Sequence, residues 1–159
     1  MATSLPQRPR TGTLQRKSFA IVASAYNARF VDGLVEHFRQ EILELIPGAE
    51  ITRHDVPGSF EIPLVVAEIA QNGKYDAIAA FGVIMQGETL HAQLISTAVT
   101  NALLDISLKY RTPVLHEVLV IADEAQATQR CLEPGLNRGI EAARAAVHIL
   151  QTLVNLRGH

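Results

Sequence analysis

At 159 residues the chain has the length of about one domain, enough to bury roughly 68–70% of its unfolded surface without disulfides or metal. Fourteen basic and sixteen acidic residues leave a formal charge of −2, which argues against the basic excess of a nucleic-acid-binding domain. A lone cysteine, Cys131, excludes an internal disulfide framework, and the longest apolar run, Ala77 to Met85, is far short of the ~18 residues of a membrane helix.

Residues 1–16 read as a polar, proline-bearing arm, flexible alone or docked on a neighbouring subunit, where it would add a strand. Residues 17–159 read as a single domain. Arg8, Arg10, Arg16 and Lys17 ahead of the apolar run at Phe19 imitate an export signal, but cleavage there would remove the first core strand. A cytoplasmic location is therefore expected.

Ser18–Ala23 is a short β-prone run, followed at helical spacing by Phe30, Val31, Leu34, Phe38, Ile42 and Leu45. Pro47-Gly48 stops that helix. Ile51–Asp55 is a second strand, and Val56-Pro57-Gly58 turns the chain into a helix carrying Ile62, Val66, Ile69 and Ala70, with Pro63 tolerated in its first turn. Asn72-Gly73 closes it. Asp76–Met85 is nearly continuous in apolar residues, as expected of a central strand covered on both faces. The loop Gln86–Thr89 leads into a long helix expected to hold Leu94, Ile95, Ala98, Val99, Ala102, Leu103 and Ile106 inside. Pro113–Ile121 is a fourth strand, and Asp123–Gln126 resembles a capping box opening a short helix. Pro134-Gly135 breaks the chain before a last helix from Gly139 to about Leu156.

This alternation predicts an α/β three-layer sandwich, with a four-stranded parallel sheet, right-handed crossovers and helices on both faces. Ligands of such open sheets bind beyond the carboxyl ends of the strands. The segments to inspect are Tyr26-Asn27, Pro57–Glu61, Met85–His91 and Asp123–Arg130. There is no G-x-x-x-x-G-K-[ST] and no G-x-G-x-x-G after the first strand.

Around Gly87-Glu88-Thr89, backbone N–H groups at a helix start favour a phosphate, although an ordinary threonine cap explains the loop equally well. His91, in the first turn, suits proton exchange near neutral pH; a lone surface histidine is the plainer alternative. Glu61 offers two acceptors for hydroxyl groups beside Ser59, while Phe60 and Tyr26 can wall a planar ring or simply belong to the core. Arg130 can grip a phosphate through two N–H groups or merely favour a helix end. Cys131 reads as a small buried residue. The six histidines show no i,i+4 pairing, and no metal site is expected.

Together the segments resemble the lumazine synthase family. Val56-Pro-Gly-Ser-Phe-Glu-Ile-Pro63 is similar to its V-P-G-A-x-E-I-P signature. Tyr75-Asp-Ala-Ile78 through Gly87-Glu-Thr-Leu-His91 follows its Y-D-A-[VI]…G-x-T-x-H pattern. Gln126-Ala-x-x-Arg130 with Asn137-Arg138-Gly139 resembles its Q-A-x-x-R…N-K-G stretch, and the order is unbroken over about residues 18–156.

The resemblance implies a flavodoxin-like sheet and condensation of 5-amino-6-(ribitylamino)uracil with 3,4-dihydroxy-2-butanone 4-phosphate, releasing phosphate and water. Carried over residue by residue, it makes His91 the proton-transfer group and Arg130 the main phosphate ligand, with Gly87, Glu88 and Thr89 beside it. It assigns the other substrate to Tyr26, Asn27, Ser59, Phe60, Glu61, Val83, Ile84 and Met85. His116 and Arg138 are further substrate-binding candidates, His116 standing where the family places a residue of the adjacent subunit. The resemblance implies no cofactor, a homopentamer or its multiples up to a hollow shell, and association with riboflavin synthase. Ala25, Gln86, Leu90, Ala92–Leu94, His116-Glu117 and Arg138 depart from the usual pattern. Those departures motivate the rival expectation of a catalytically weak paralogue that binds flavin or lumazine or forms a shell.

Overall fold

The computed structural model describes residues 3–12 and 14–158. Its parallel sheet contains β1 (Ser18–Ser24), β2 (Glu50–Val56), β3 (Ala77–Met85) and β4 (Val114–Ile121) in the order β2-β1-β3-β4. Helices α1 (Ala28–Leu45), α2 (Ile62–Asn72), α3 (His91–Tyr110), α4 (Glu124–Ala127) and α5 (Arg138–Arg157) connect or follow the strands. This is the predicted alternation, and the order is that of a flavodoxin-like sheet.

Side-chain alternation explains why β1 and β3 read as unbroken apolar runs. Phe19, Ile21 and Ala23 of β1 and Ala77, Ala79, Phe81 and Val83 of β3 pack under α1 and α5. Their neighbours Ala20, Val22, Ile78 and Ala80 pack against α2 and α3. Phe38 joins the first of these cores edge-on, 5.4 Å from the Phe81 ring and 6.2 Å from Phe19. β2 lies at the sheet edge with exposed charges, among them Arg53 bonded to Asp32 and Asp55. Charges of this kind block edge-to-edge pairing with another chain.

Helix ends follow local chemistry. Gly73 closes α2 in the left-handed region at φ 64°. Asn137 caps α5, its Oδ1 accepting from the N–H groups of Gly139 and Ile140 while its Nδ2 donates to the Glu133 carbonyl. Asp123 Oδ1 accepts from Gln126 N–H, but Gln126 Oε1 reaches back to Ala122 N–H, one residue earlier than in the usual capping box. After α4 the chain runs through a π-helical turn, Thr128–Leu132.

The described part of the arm contains no strand and lies on its own chain. Arg8 donates to both oxygens of Glu41 and also to Glu44, and Arg144 of α5 donates to the same Oε1 of Glu41 that Arg8 Nε reaches. Glu41 is almost fully buried. Burial pushes its pKa up, but hydrogen bonds from Arg8 and Arg144 outweigh this and hold it below the usual value. Leu14 follows the arm into the core.

One expectation fails on α3. Leu94 and Ala98 lie outside, because α3 meets the protein mainly through Ala92, Val99 and Leu103. Leu90, Leu94, Leu104 and Leu108 form an outward apolar row, each more than half exposed.

Gly139 marks the closest helix approach. A Cβ there would lie 2.2 Å from the Leu34 carbonyl oxygen of α1. Gly139→Ala is expected to cost about 1–3 kcal/mol through overpacking, read as a lower urea midpoint at unchanged slope.

Candidate functional site

Three crossovers start from the same edge of the sheet, and their first residues enclose a cavity of about 470 Å³. Tyr26 and Asn27 come from the β1–α1 turn, and Gly58, Ser59, Phe60 and Glu61 from the β2–α2 turn. Val83, Ile84 and Met85 come from the end of β3, with His91 and Ile95 from the start of α3. Eight residues named for the substrate and the candidate proton-transfer group thus share one cavity.

Asn27 fastens the first crossover to the third. Its φ of 55° turns the chain into α1, and its Nδ2 donates to the Val83 carbonyl at 2.7 Å. Ser59–Glu61 forms a single 3-10 turn before α2. Glu61 Oε2 accepts from Gly58 N–H at 2.9 Å, which aims the carboxylate across the turn. A Cβ on Gly58 would lie 3.0 Å from both that oxygen and the Tyr26 ring, so glycine permits the close fit. Tyr26 is 70% exposed and Phe60 61%, so neither aromatic is spent on the chain's own core.

A second cavity of about 500 Å³ adjoins the first along the start of α3, lined by Gln86–Leu90, Ala92, Gln93, Ser96, Thr97 and Val120. It contains the three loop residues named for phosphate. Leu90 precedes α3 without a side-chain cap bond, so the Thr89 hydroxyl is not consumed as a cap.

Arg130 sits in the π-helical turn rather than at the end of α4, because the chain changes its hydrogen-bond spacing after Ala127. It is half-buried and lines neither cavity. The turn is held against α1 at Gly33, where a Cβ would lie 2.5 Å from the Cys131 carbonyl oxygen. Turns of this type are frequent at functional sites. Cys131 is buried; desolvation, reinforced by the charge of Glu117, pushes its thiol up to about 12. This keeps it unreactive.

His116 and Arg138 stand apart from the cavity within one chain. The His116 ring points toward α3, its Nε2 2.6 Å from Thr100 Oγ1, and its Nδ1 accepts from Val118 N–H at 3.2 Å. That acceptor role places the ring proton on Nε2, donating to Thr100. Burial, helped by the charge of Arg138, lowers its pKa. Arg138 Nε and Nη2 donate to the two oxygens of Glu117, at 2.9 and 3.2 Å, and Nη1 donates to Glu141 at 2.8 Å. Glu117 and Glu141 were not among the sequence candidates; the available signal was an acid beside His116 in the strand Pro113–Ile121, whose other residues are apolar.

The topology and the cavity define an α/β protein of flavodoxin-like order with its candidate site at the carboxyl ends of the strands. The family model described as 6,7-dimethyl-8-ribityllumazine synthase matches residues 16–154. A 6,7-dimethyl-8-ribityllumazine synthase of Thermococcus kodakarensis is 36% identical over 133 residues, covering 82% of this chain and 85% of that protein. A 6,7-dimethyl-8-ribityllumazine synthase 1 of Caulobacter vibrioides is 33% identical over 141 residues, covering 87% and 91%. The chain belongs to the 6,7-dimethyl-8-ribityllumazine synthase family. Among the described residues no helix is long and apolar enough to cross a membrane, and no group of three or more metal-ligating side chains occurs.

Glu117 generates a pH prediction. Burial pushes its pKa from the ordinary 4.5 up to about 7, against the pull of Arg138. Between those values the folded chain holds a proton that the unfolded chain releases, so stability falls as pH rises and levels off above about 7. Glu117→Gln removes this dependence. The free-energy difference, wild type minus variant, is expected to decline from about pH 5 to about pH 7.5 in urea titrations; a constant difference would mean that Glu117 stays ionised throughout.

Proposed function

We propose that this chain condenses 5-amino-6-(ribitylamino)uracil with 3,4-dihydroxy-2-butanone 4-phosphate to 6,7-dimethyl-8-ribityllumazine, releasing phosphate and water, as an enzyme of riboflavin biosynthesis. The observation that carries the residue assignment is the cavity joining two exposed aromatics, a carboxylate and a histidine at three strand ends. Amine and ketone form an imine without covalent help from the protein, so the residues have to orient, shield and move protons.

Tyr26 and Phe60 flank a planar pyrimidine, with the ends of β3 at Val83, Ile84 and Met85 along its edge. Glu61 keeps Oε1 for ribityl hydroxyls while Oε2 is tied to Gly58. Asn27, with Nδ2 on Val83, offers its carbonyl oxygen, and Ser59 offers a hydroxyl. His91 moves protons between the amine, the carbinol and the departing water.

The phosphate lies by Gly87, Glu88 and Thr89, where the first N–H groups of α3 lack a side-chain cap. Glu88 contributes its backbone N–H, since its carboxylate repels the anion. Arg130 is the charged partner of this phosphate. Its place outside the lining of both cavities supports a site completed on assembly, as does the position of His116 and Arg138, which lie at the edge strand β4 and also line neither cavity. The apolar row Leu90, Leu94, Leu104 and Leu108 fits burial between copies, because monomers rarely expose such rows. We assign the protein to a cytoplasmic homopentamer or its multiples, able to associate with riboflavin synthase.

Steady-state formation of the lumazine, followed by absorbance against an enzyme-free blank, tests the reaction. Arg130→Ala is expected to lose ~1.5–3 kcal/mol of phosphate interaction, about 10- to 150-fold in kcat/KM. His91→Ala is expected to lose ~10²–10⁴-fold in rate. A wild-type rate equal to the blank in a folded, oligomeric protein would instead select a binding or shell role.

A further inference from the structure

Beside the cavity two serine hydroxyls approach the same glycine, and neither makes a hydrogen bond among the described residues. Ser24, the last residue of β1, is 1% exposed, and its Oγ makes no hydrogen bond. Ser59 lines the cavity, is 8% exposed, and its Oγ makes none among the described residues either. Both converge on Gly82 of β3. A Cβ there would lie 2.6 Å from Ser59 Oγ and 3.3 Å from Ser24 Oγ, with Ile62 Cδ1 closing the remaining side at 3.3 Å. Any larger residue at 82 would push the two hydroxyls apart.

An unsatisfied buried hydroxyl is destabilising, and each serine can both donate and accept. Ser24 is shut off from solvent and does not line the cavity, so Ser59, which lines it and approaches the same glycine, is the group through which Ser24 can meet a ligand. Resting on the proposed reaction, we infer that Ser24 and Ser59 form a two-hydroxyl relay engaged by the bound heterocycle. A polar atom of the ring bonds Ser59, and Ser59 turns to exchange its second hydrogen bond with Ser24. Chained hydrogen bonds polarise one another, so the outer bond is stronger with Ser24 in place. Ser24 is a positioning residue that never touches the ligand. Ser59 stands where the family signature has alanine, and an alanine there could not transmit this contact.

The test is a titration of 6,7-dimethyl-8-ribityllumazine fluorescence with wild type, Ser24→Ala, Ser59→Ala and the double variant, paired with thermal unfolding of each free protein. Ser24→Ala is expected to weaken binding about 3- to 10-fold, the range of one ordinary hydrogen bond, while the free protein melts at the same or a higher temperature. In the Ser59→Ala background, Ser24→Ala is expected to add less than about twofold, since the relay is already broken. Wild-type affinity in Ser24→Ala overturns the relay, as does a full additional loss in the double variant or a lowered melting temperature that tracks the affinity change. A wild type that binds the lumazine without forming it removes the reaction and leaves the relay judged by these affinities. A wild type that does not bind it overturns the relay as well.

Discussion

β3 is covered by helices on both faces, and its residues from Ala77 to Val83 are buried, so their backbone polar groups need partners inside the protein. β1 supplies them on one side as far as Phe81 and β4 on the other, both in parallel register, and Asn27 answers the Val83 carbonyl. Parallel pairing requires every crossover to return to the same edge, which places all four carboxyl ends together. The cavity of Tyr26, Glu61 and His91 follows from that constraint. Gly82 lets the β2–α2 turn approach this strand, and the Asn27 bond to Val83 draws in the β1–α1 turn.

Charge inside the molecule is handled pairwise. Glu41 on α1 and Glu117 on β4 are the two buried carboxylates among the described residues, each bonded to an arginine of α5. Glu41 receives two arginines and stays ionised. Glu117 shares Arg138 with Glu141 and is pushed toward protonation. Glu117 is the more deeply desolvated of the two, and it has fewer cations: two on one acid offset burial, whereas one cation divided between two acids does not. Arg138 is thereby committed to an ion cluster, which limits what else its guanidinium can hold.

Much of the architecture was legible because short apolar runs end at Pro and Gly pairs: Pro47-Gly48, Pro57-Gly58 and Pro134-Gly135 each mark a real boundary. The strands fall within a residue or two of their expected ends. The cavity-lining set was legible too, since strand-end residues in a parallel sheet must converge. Three features were not. Hydrophobicity at Leu94 and Ala98 does not say whether a helix face meets the sheet or faces outward. The pairing of Glu117 with Arg138 spans 21 residues and leaves no periodic trace. The shift to π-helical spacing after Ala127 depends on the fit of the turn against Gly33, a tertiary contact.

The buried carboxylate of Glu41 joins the two ends of the chain in a fixed order. Its bond to Arg8 closes a loop of 33 residues and its bond to Arg144 one of 103. The longer closure costs about 1 kcal/mol more in chain entropy. During synthesis from the N-terminus, the first bond can form when α1 emerges, but the second waits until all four strands and the start of α5 have been made. Until then Glu41 has one cation and no covering helix, and the arm is held at a surface contact only. The arm is therefore clasped last, when α5 arrives. A nascent chain stalled before Arg144 would carry it loosely and present to other chains the surface that the finished molecule keeps closed.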